Sequence, residues 1–329
     1  MNKTTKSCMA GLGASLFLLL ACIPFALDSV YVTTVATVAL VFVILSTGLN
    51  LVYGYVGLLS FAQVAFWGAG GYTGALLAVD LGISPWIATL CGGTLAGILA
   101  LGIGIPALRL SRHSFAIVTL TFALLMELVA RDWTSLTRGP LGVPGLPALE
   151  VSLFGRKWID GSTATGFYLI MLIYTIIVLV LTWRLVRSPI GRTFLAVKHD
   201  EALARSQGID ANRYKLLALC ISAVFSGIAG ALYVFDLSIV DPSIFDFYYS
   251  EMMLIMVILG GAGTLGGVVV TSVLFTILPE ALRITPSLRL VIFGFILIAS
   301  VMVLPEGVGG YLRQRRLRLV QQRSRAEQP

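Results

Sequence analysis

Charged residues along this chain are separated by long uncharged intervals. No Asp, Glu, Lys or Arg occurs between Asp28 and Asp80, Asp80 and Arg109, Asp160 and Arg184, Lys215 and Asp236, Glu251 and Glu280, or Arg289 and Glu306. A helix needs about 20 apolar residues to cross the hydrocarbon core of a bilayer, so each interval holds at least one membrane span. The first is long enough for two, divided by "YGYVG" at Tyr53 to Gly57. The run from Cys8 to Leu27 supplies a further span, and His113 to Ala130 another that carries Glu127. Between Glu251 and Glu280 there is too little chain for two full helices, yet "LGGAGTLGG" stands at its middle, which predicts two short or broken spans. The expected architecture is an all-α polytopic membrane protein of about ten transmembrane helices.

Composition supports this. The chain is 57% hydrophobic and 12% charged over 329 residues, whereas soluble domains are apolar over about half their length and charged over about a quarter. A net charge of +7 could point to nucleic acid, but the basic residues cluster at the ends of apolar blocks rather than along one polar face. Topology accounts for them: with the N-terminus inside, the inner segments hold 17 of the 23 Lys and Arg, as cytoplasmic loops do. Both termini are then cytoplasmic, and no nucleic-acid partner is expected. Lys3 and Lys6 before the first apolar run could mark a cleaved signal peptide. The run is longer than usual for one and no A-x-A site follows, so an uncleaved span is expected. Cys8, Cys22, Cys91 and Cys220 all lie in apolar blocks without a C-x-x-C pair and read as small buried hydrophobes rather than disulfide or metal groups.

Few motifs carry chemistry. Gly261 to Gly266 fits G-x-G-x-x-G, but membrane-grade apolar runs flank it and no acid follows about 20 residues on, so a dinucleotide site is excluded. Gly260, Gly261, Gly263 and Gly266 instead read as a helix break or close-packing region. Gly70 and Gly74, with Gly71 and Ala75, give the small-xxx-small spacing that lets membrane helices approach. Asn50 and Gln63 are polar groups within or at the ends of spans, and Glu127 is the deepest acid; all three are candidate contacts of a transport path, since intramembrane polar groups are costly. Packing remains the alternative for Gln63, and a proton relay for Glu127. No G-x-x-x-x-G-K-[ST], G-x-S-x-G or H-E-x-x-H occurs, so no ATP hydrolysis, hydrolase chemistry, cofactor or metal site is expected.

The longest charged interval between two apolar blocks, Arg187 to Lys215, is "RSPIGRTFLAVKHDEALARSQGIDANRYK". Asp200 and Glu201 suit the first turn of a short helix, Ala202, Leu203 and Ala204 continue it, Arg205 suits its last turn, and Gly208 can take the left-handed conformation that ends it. Held between two spans, such a helix is either an ordinary solvated loop or a lever.

The pattern E-A-x-A-x-x-x-G, here Glu201, Ala202, Ala204 and Gly208, resembles the cytoplasmic "EAA" loop of ABC-importer permeases. The wider resemblance is to branched-chain amino acid permeases of the LivM type, over residues 49–310. It is carried by "LNLVYGYVGLLSFAQVAFWGAGGYTGALL", "PALRLSRHSFAIVTLTFA", "LTRGPLGVPG", "SPIGRTFLAVKHDEALARSQGID", "RYKLLALCISAVFSGIAGALY", "DPSIF" and "VILGGAGTLGG" in that order. Gln63 stands where the family often has His, Arg138 where Gly is common, and the I-x-L-P ending of the wider EAA signature is absent. The resemblance implies a permease domain over residues 1–310 with a coupling loop at 187–215, a basic cytoplasmic tail at 311–329, and a place in the bacterial inner membrane. It implies a LivH-type permease partner, two ABC ATPase subunits and a periplasmic binding protein. The implied substrate is a branched-chain or other apolar amino acid moved by alternating access, with urea, short amides or an ion-coupled transporter as alternatives.

Overall fold

The computed structural model describes residues 29–153 and 156–282, and within them every long charge-free interval contains helix. The first, α1 (Val30–Leu49), does not stop at its expected divider. It runs directly into a π-helical turn, Asn50–Val56, and ends at Gly57, whose φ of +83° needs a residue without a Cβ. Residues 57–62 then pass without helix to α2 (Gln63–Val79). After it come α3 (Pro85–Ala107), opened by proline at its first position, and α4 (Arg112–Asp132), capped by the Ser111 hydroxyl on the Ser114 N–H. A single turn, α5 (Thr134–Thr137), leads out of it.

The other helices are α6 (Ala164–Arg187), α7 (Pro189–His199), α8 (Glu201–Ser206), α9 (Ala211–Leu237), α10 (Phe247–Gly260) and α11 (Leu265–Leu282). Among the described residues six helical stretches are long and apolar enough to cross a bilayer: Val30–Val56, Pro85–Ala107, Arg112–Asp132, Ala164–Arg187, Ala211–Leu237 and Pro242–Gly260. The 17 residues of α2 fall just short of that length, and α11 contributes a shorter apolar stretch. The expected spans at residues 8–27 and 289–306 lie outside the described residues.

One correction to an all-helical chain comes between α5 and α6. There β1 (Val143–Pro144) pairs antiparallel with β4 (Ile239–Val240), just after α9, and β2 (Glu150–Leu153) pairs antiparallel with β3 (Arg156–Asp160). These backbones leave the helical bundle and satisfy their hydrogen bonds by pairing instead.

The middle of the bundle is α9, packed between α2 and α3. Lipid tails are as apolar as leucine, so membrane helices hold together by close backbone approach at small residues. A methyl group at Gly70 would strike the backbone of Gly227, and one at Gly74 would press on Ala231. On α3, Gly92 faces the Gly70 carbonyl. Gly70 thus lies in close approach to both α9 and α3, and Gly74 to α9. Outward, α4 presents Ile117, Leu124, Leu125 and Leu128, each at least half exposed, the apolar surface a lipid-facing helix requires.

Candidate functional site

The charged interval folds as two helices rather than one. Ser188 accepts from the Gly191 N–H, with Pro189 in the first turn, and this starts α7. Sequence reasoning missed this helix; the signals that could have found it are the serine-proline pair and the spacing of Gly191, Phe194 and Val197, all buried. Asp200 is extended (φ −151°, ψ 106°), and its carboxylate accepts from the Leu203 N–H at 2.9 Å, so it ends α7 and caps α8. The helix closes at Gly208 with φ +80°, where a Cβ would meet nothing within 4 Å, so its demand is on the backbone angle alone. Ala204 is buried against Val197 and Ala211, whereas Ala202 is exposed and Leu203 is 60% exposed. An exposed leucine at the tip of a charged loop presents an apolar contact.

Glu201 fastens α8 to α9. One carboxylate oxygen pairs with Arg205 at 2.7 Å, the other with Lys215 at 2.6 Å, and the Lys215 side chain is only 6% exposed. Burial opposes ionisation of Glu201, but the Lys215 hydrogen bond and the charges of Lys215, Arg205 and Arg112 outweigh it and hold the carboxyl below its ordinary range.

A second fastening, unforeseen from the sequence, joins α7 to the membrane helices. The Lys198 ammonium donates to the Gly54 carbonyl at 2.6 Å, inside the π-helical turn, and its partial burial lowers its pKa. Four residues earlier, the side-chain oxygen of the fully buried Asn50 accepts from the Gly263 N–H at 2.8 Å. The amide nitrogen of Asn50 is buried without a partner. Gly263 has φ +92° and Gly261 φ +90°, so the α10–α11 connection is a glycine turn. Gly260 abuts the Val268 backbone across that turn, while Gly266 faces open space. Three chain segments thus meet at the π-helical turn: α1, the α10–α11 turn and, through Lys198, the charged interval. π-Helical turns recur at functional sites because they leave part of the helical ladder open.

The other polar candidates divide. Gln63 is buried at the start of α2; its amide nitrogen donates to Ser222 Oγ, and Ser226 Oγ donates to its oxygen at 3.2 Å. It bridges α2 to α9 beside Gly48, less than one turn before Asn50 on α1. Glu127 is remote from this cluster. It sits on α4 with 26% of its side chain exposed, paired to Arg131 at 2.9 Å. Among the described residues no group of His, Cys, Asp or Glu has the geometry to hold a metal.

Residues 31–301 match the family described as "Branched-chain amino acid transport system / permease component". The chain is 32% identical over 292 residues to the "High-affinity branched-chain amino acid transport system permease protein LivM" of Escherichia coli (strain K12), covering 83% of this chain and 69% of that one. It is 26% identical to the corresponding LivH protein of Salmonella typhimurium, covering 83% and 92%. Among solved structures, "PsaBC from Streptococcus pneumoniae in complex with Fab" aligns with a TM-score of 0.47 at 16% identity, over 92% of this chain and 99% of that one. With a match that runs through nearly all of its helical bundle, the chain belongs to the branched-chain amino acid transport system permease family.

Proposed function

We propose that this permease is one of two different membrane subunits of an ATP-driven importer in the bacterial inner membrane, paired with a LivH-type subunit, two ABC ATPases and a periplasmic binding protein. Residues 1–310 form the permease domain and 311–329 a basic cytoplasmic tail. Both termini and the loop at 187–215 face the cytoplasm, on the weight of Lys and Arg there. The substrate is a branched-chain or other apolar amino acid, selected first by the binding protein. The chain carries no nucleotide-binding motif of its own.

The observation that carries this reading is the double attachment of the charged loop. Asp200, Glu201, Ala202, Leu203, Ala204 and Gly208 form a capped, compact α8 whose apolar tip is outward. Glu201 anchors it to α9 and Lys198 anchors the preceding helix to the π-helical turn of α1. Closure of the ATPases on ATP pulls α8, and the displacement reaches Asn50 and the Gly261–Gly263 turn, where the path opens or closes. The ATP-bound and free states differ in which contacts they hold, and that difference supplies the switching energy. Gln63 and Asn50 are proposed as polar contacts of the transport path; both are buried in this chain.

The test is co-purification with the ATPase and partner permease, comparing wild type with a chain whose Asp200 to Gln207 helix is replaced by a Gly/Ser linker. Loss of ATPase retention or of coupled uptake in the variant is expected. Normal association and transport by the linker variant would sink the coupling role of α8.

A further inference from the structure

Between the α3–α4 connection and α8 lies a cleft of about 390 Å³. Its walls carry Arg109, Arg112, Arg205 and Lys215, with Glu201 as the one acid. That carboxylate is already divided between Arg205 and Lys215. Neither Arg109 nor Arg112 has a carboxylate in ion-pairing range among the described residues. The first turn of α4, where Arg112 and the capping Ser111 sit, adds the positive end of a helix dipole. We infer that this cleft binds the phosphodiester headgroup of an anionic phospholipid.

Three features favour a lipid over a soluble anion. Both α3 and α4 reach spanning length, and only four residues separate Ala107 from Arg112, so the cleft mouth stands at headgroup level. Beside it, Ile105 on α3 and Ile117 on α4 are 50% and 65% exposed, an apolar surface along which acyl chains can lie. Guanidinium groups pair with phosphate oxygens in two-pronged fashion, and basic pockets between spans on the cytoplasmic side suit such headgroups. The inside bias of positive charge explains arginines on this side of the membrane; it does not explain four cations gathered round one concavity with a single acid. Because Glu201 and Arg205 belong to α8, a bound headgroup contacts the element assigned to ATPase coupling. That link to transport rests on the importer reading, whereas the binding itself does not.

The experiment uses the purified full-length chain in neutral detergent. Lipid retained on the protein is measured by native mass spectrometry, and Tm is followed as dioleoyl-phosphatidylglycerol, dioleoyl-phosphatidylcholine or inorganic phosphate is added. Wild type is compared with Arg109→Gln/Arg112→Gln and with Arg184→Gln/Arg192→Gln, which removes the same charge from the same side outside the cleft. Phosphatidylglycerol is expected to be retained and to raise Tm, phosphatidylcholine and phosphate to do neither. The cleft variant should lose at least tenfold in apparent affinity and the control variant little. Equal retention of the two lipids, equal loss in both variants, or protection by phosphate alone overturns the proposal. The same chains are also co-purified with the ATPase, and unchanged lipid retention in a cleft variant that no longer holds it overturns the proposal too, making the cleft a protein contact. If the ATPase fails to associate even with wild type, the importer reading falls and the lipid comparison stands.

Discussion

Replacing Lys198 with methionine should uncouple transport while leaving the fold nearly unchanged. The side chain keeps its length and apolar stem, so α7 can still pack through Gly191, Phe194 and Val197. What is lost is the 2.6 Å bond from the ammonium to the Gly54 carbonyl. A hydrogen bond to a charged group contributes about 1.5–3 kcal/mol. Against that stands the desolvation that lowers the Lys198 pKa and disappears with the charge. The two act in opposite directions, so folding stability should fall by less than the full value of that bond. Coupling is different: if the bond is made in only one of two transport states, its loss shifts their balance by roughly 10- to 150-fold. The assay is the ratio of ATP hydrolysed to substrate moved in proteoliposomes, with Lys198→Arg as the conservative rescue. Expected are normal assembly, retained basal ATPase activity and a several-fold rise in ATP consumed per substrate. A methionine variant that transports at the wild-type ratio would refute the relay through the π-helical turn.

Gly70→Ala drives a methyl group into the Gly227 backbone and should cost about 1–3 kcal/mol, seen as a lower Tm in detergent, whereas Gly266→Ala, which faces open space, should stay within about 1 kcal/mol of wild type. The Glu201 carboxyl is held below its ordinary value of 4.5, so its anchoring of α8 is fully present above that pH and is lost as pH falls through the lower, folded-state value. Cleavage of the 200–210 loop in limited proteolysis should therefore be flat from neutral pH down to 4.5 and rise only below it. Glu127, partly exposed and paired with Arg131, should tolerate Glu127→Gln with ATP-driven uptake intact; wild-type uptake that needs no ATP and is abolished by the substitution would instead support an ion-coupled transporter.

The spans were readable because charge is excluded from hydrocarbon, and a charge-free interval is a property of sequence alone. The two short helices about "LGGAGTLGG" followed from length and glycine content, and α8 from its acidic start and its glycine, although Asp200, expected in the first turn, stands just outside it as the cap. Helix α7 was hidden because its buried face is only three residues deep within a charged stretch. The π-helical turn could not be foreseen: "YGYVG" marks a break equally well whether the helix stops there or widens, and the group that meets the widened turn, Lys198, lies 144 residues away from Gly54. Gln63 shows the same limit. Its serine partners lie 159 and 163 residues along the chain, and no local pattern distinguishes a polar bridge between helices from a group facing a path.

The ribbon formed by Val143–Pro144 and Ile239–Val240 has a bearing on how the protein is made. The first strand leaves the ribosome nearly a hundred residues before its partner. At 5–20 residues per second of synthesis it waits roughly 5–20 s with an open edge. During that interval α6 and α9 must enter the membrane before the edge can close, so the ribbon is a late latch on biogenesis, and a chain arrested before Ile239 is left with an unpaired strand.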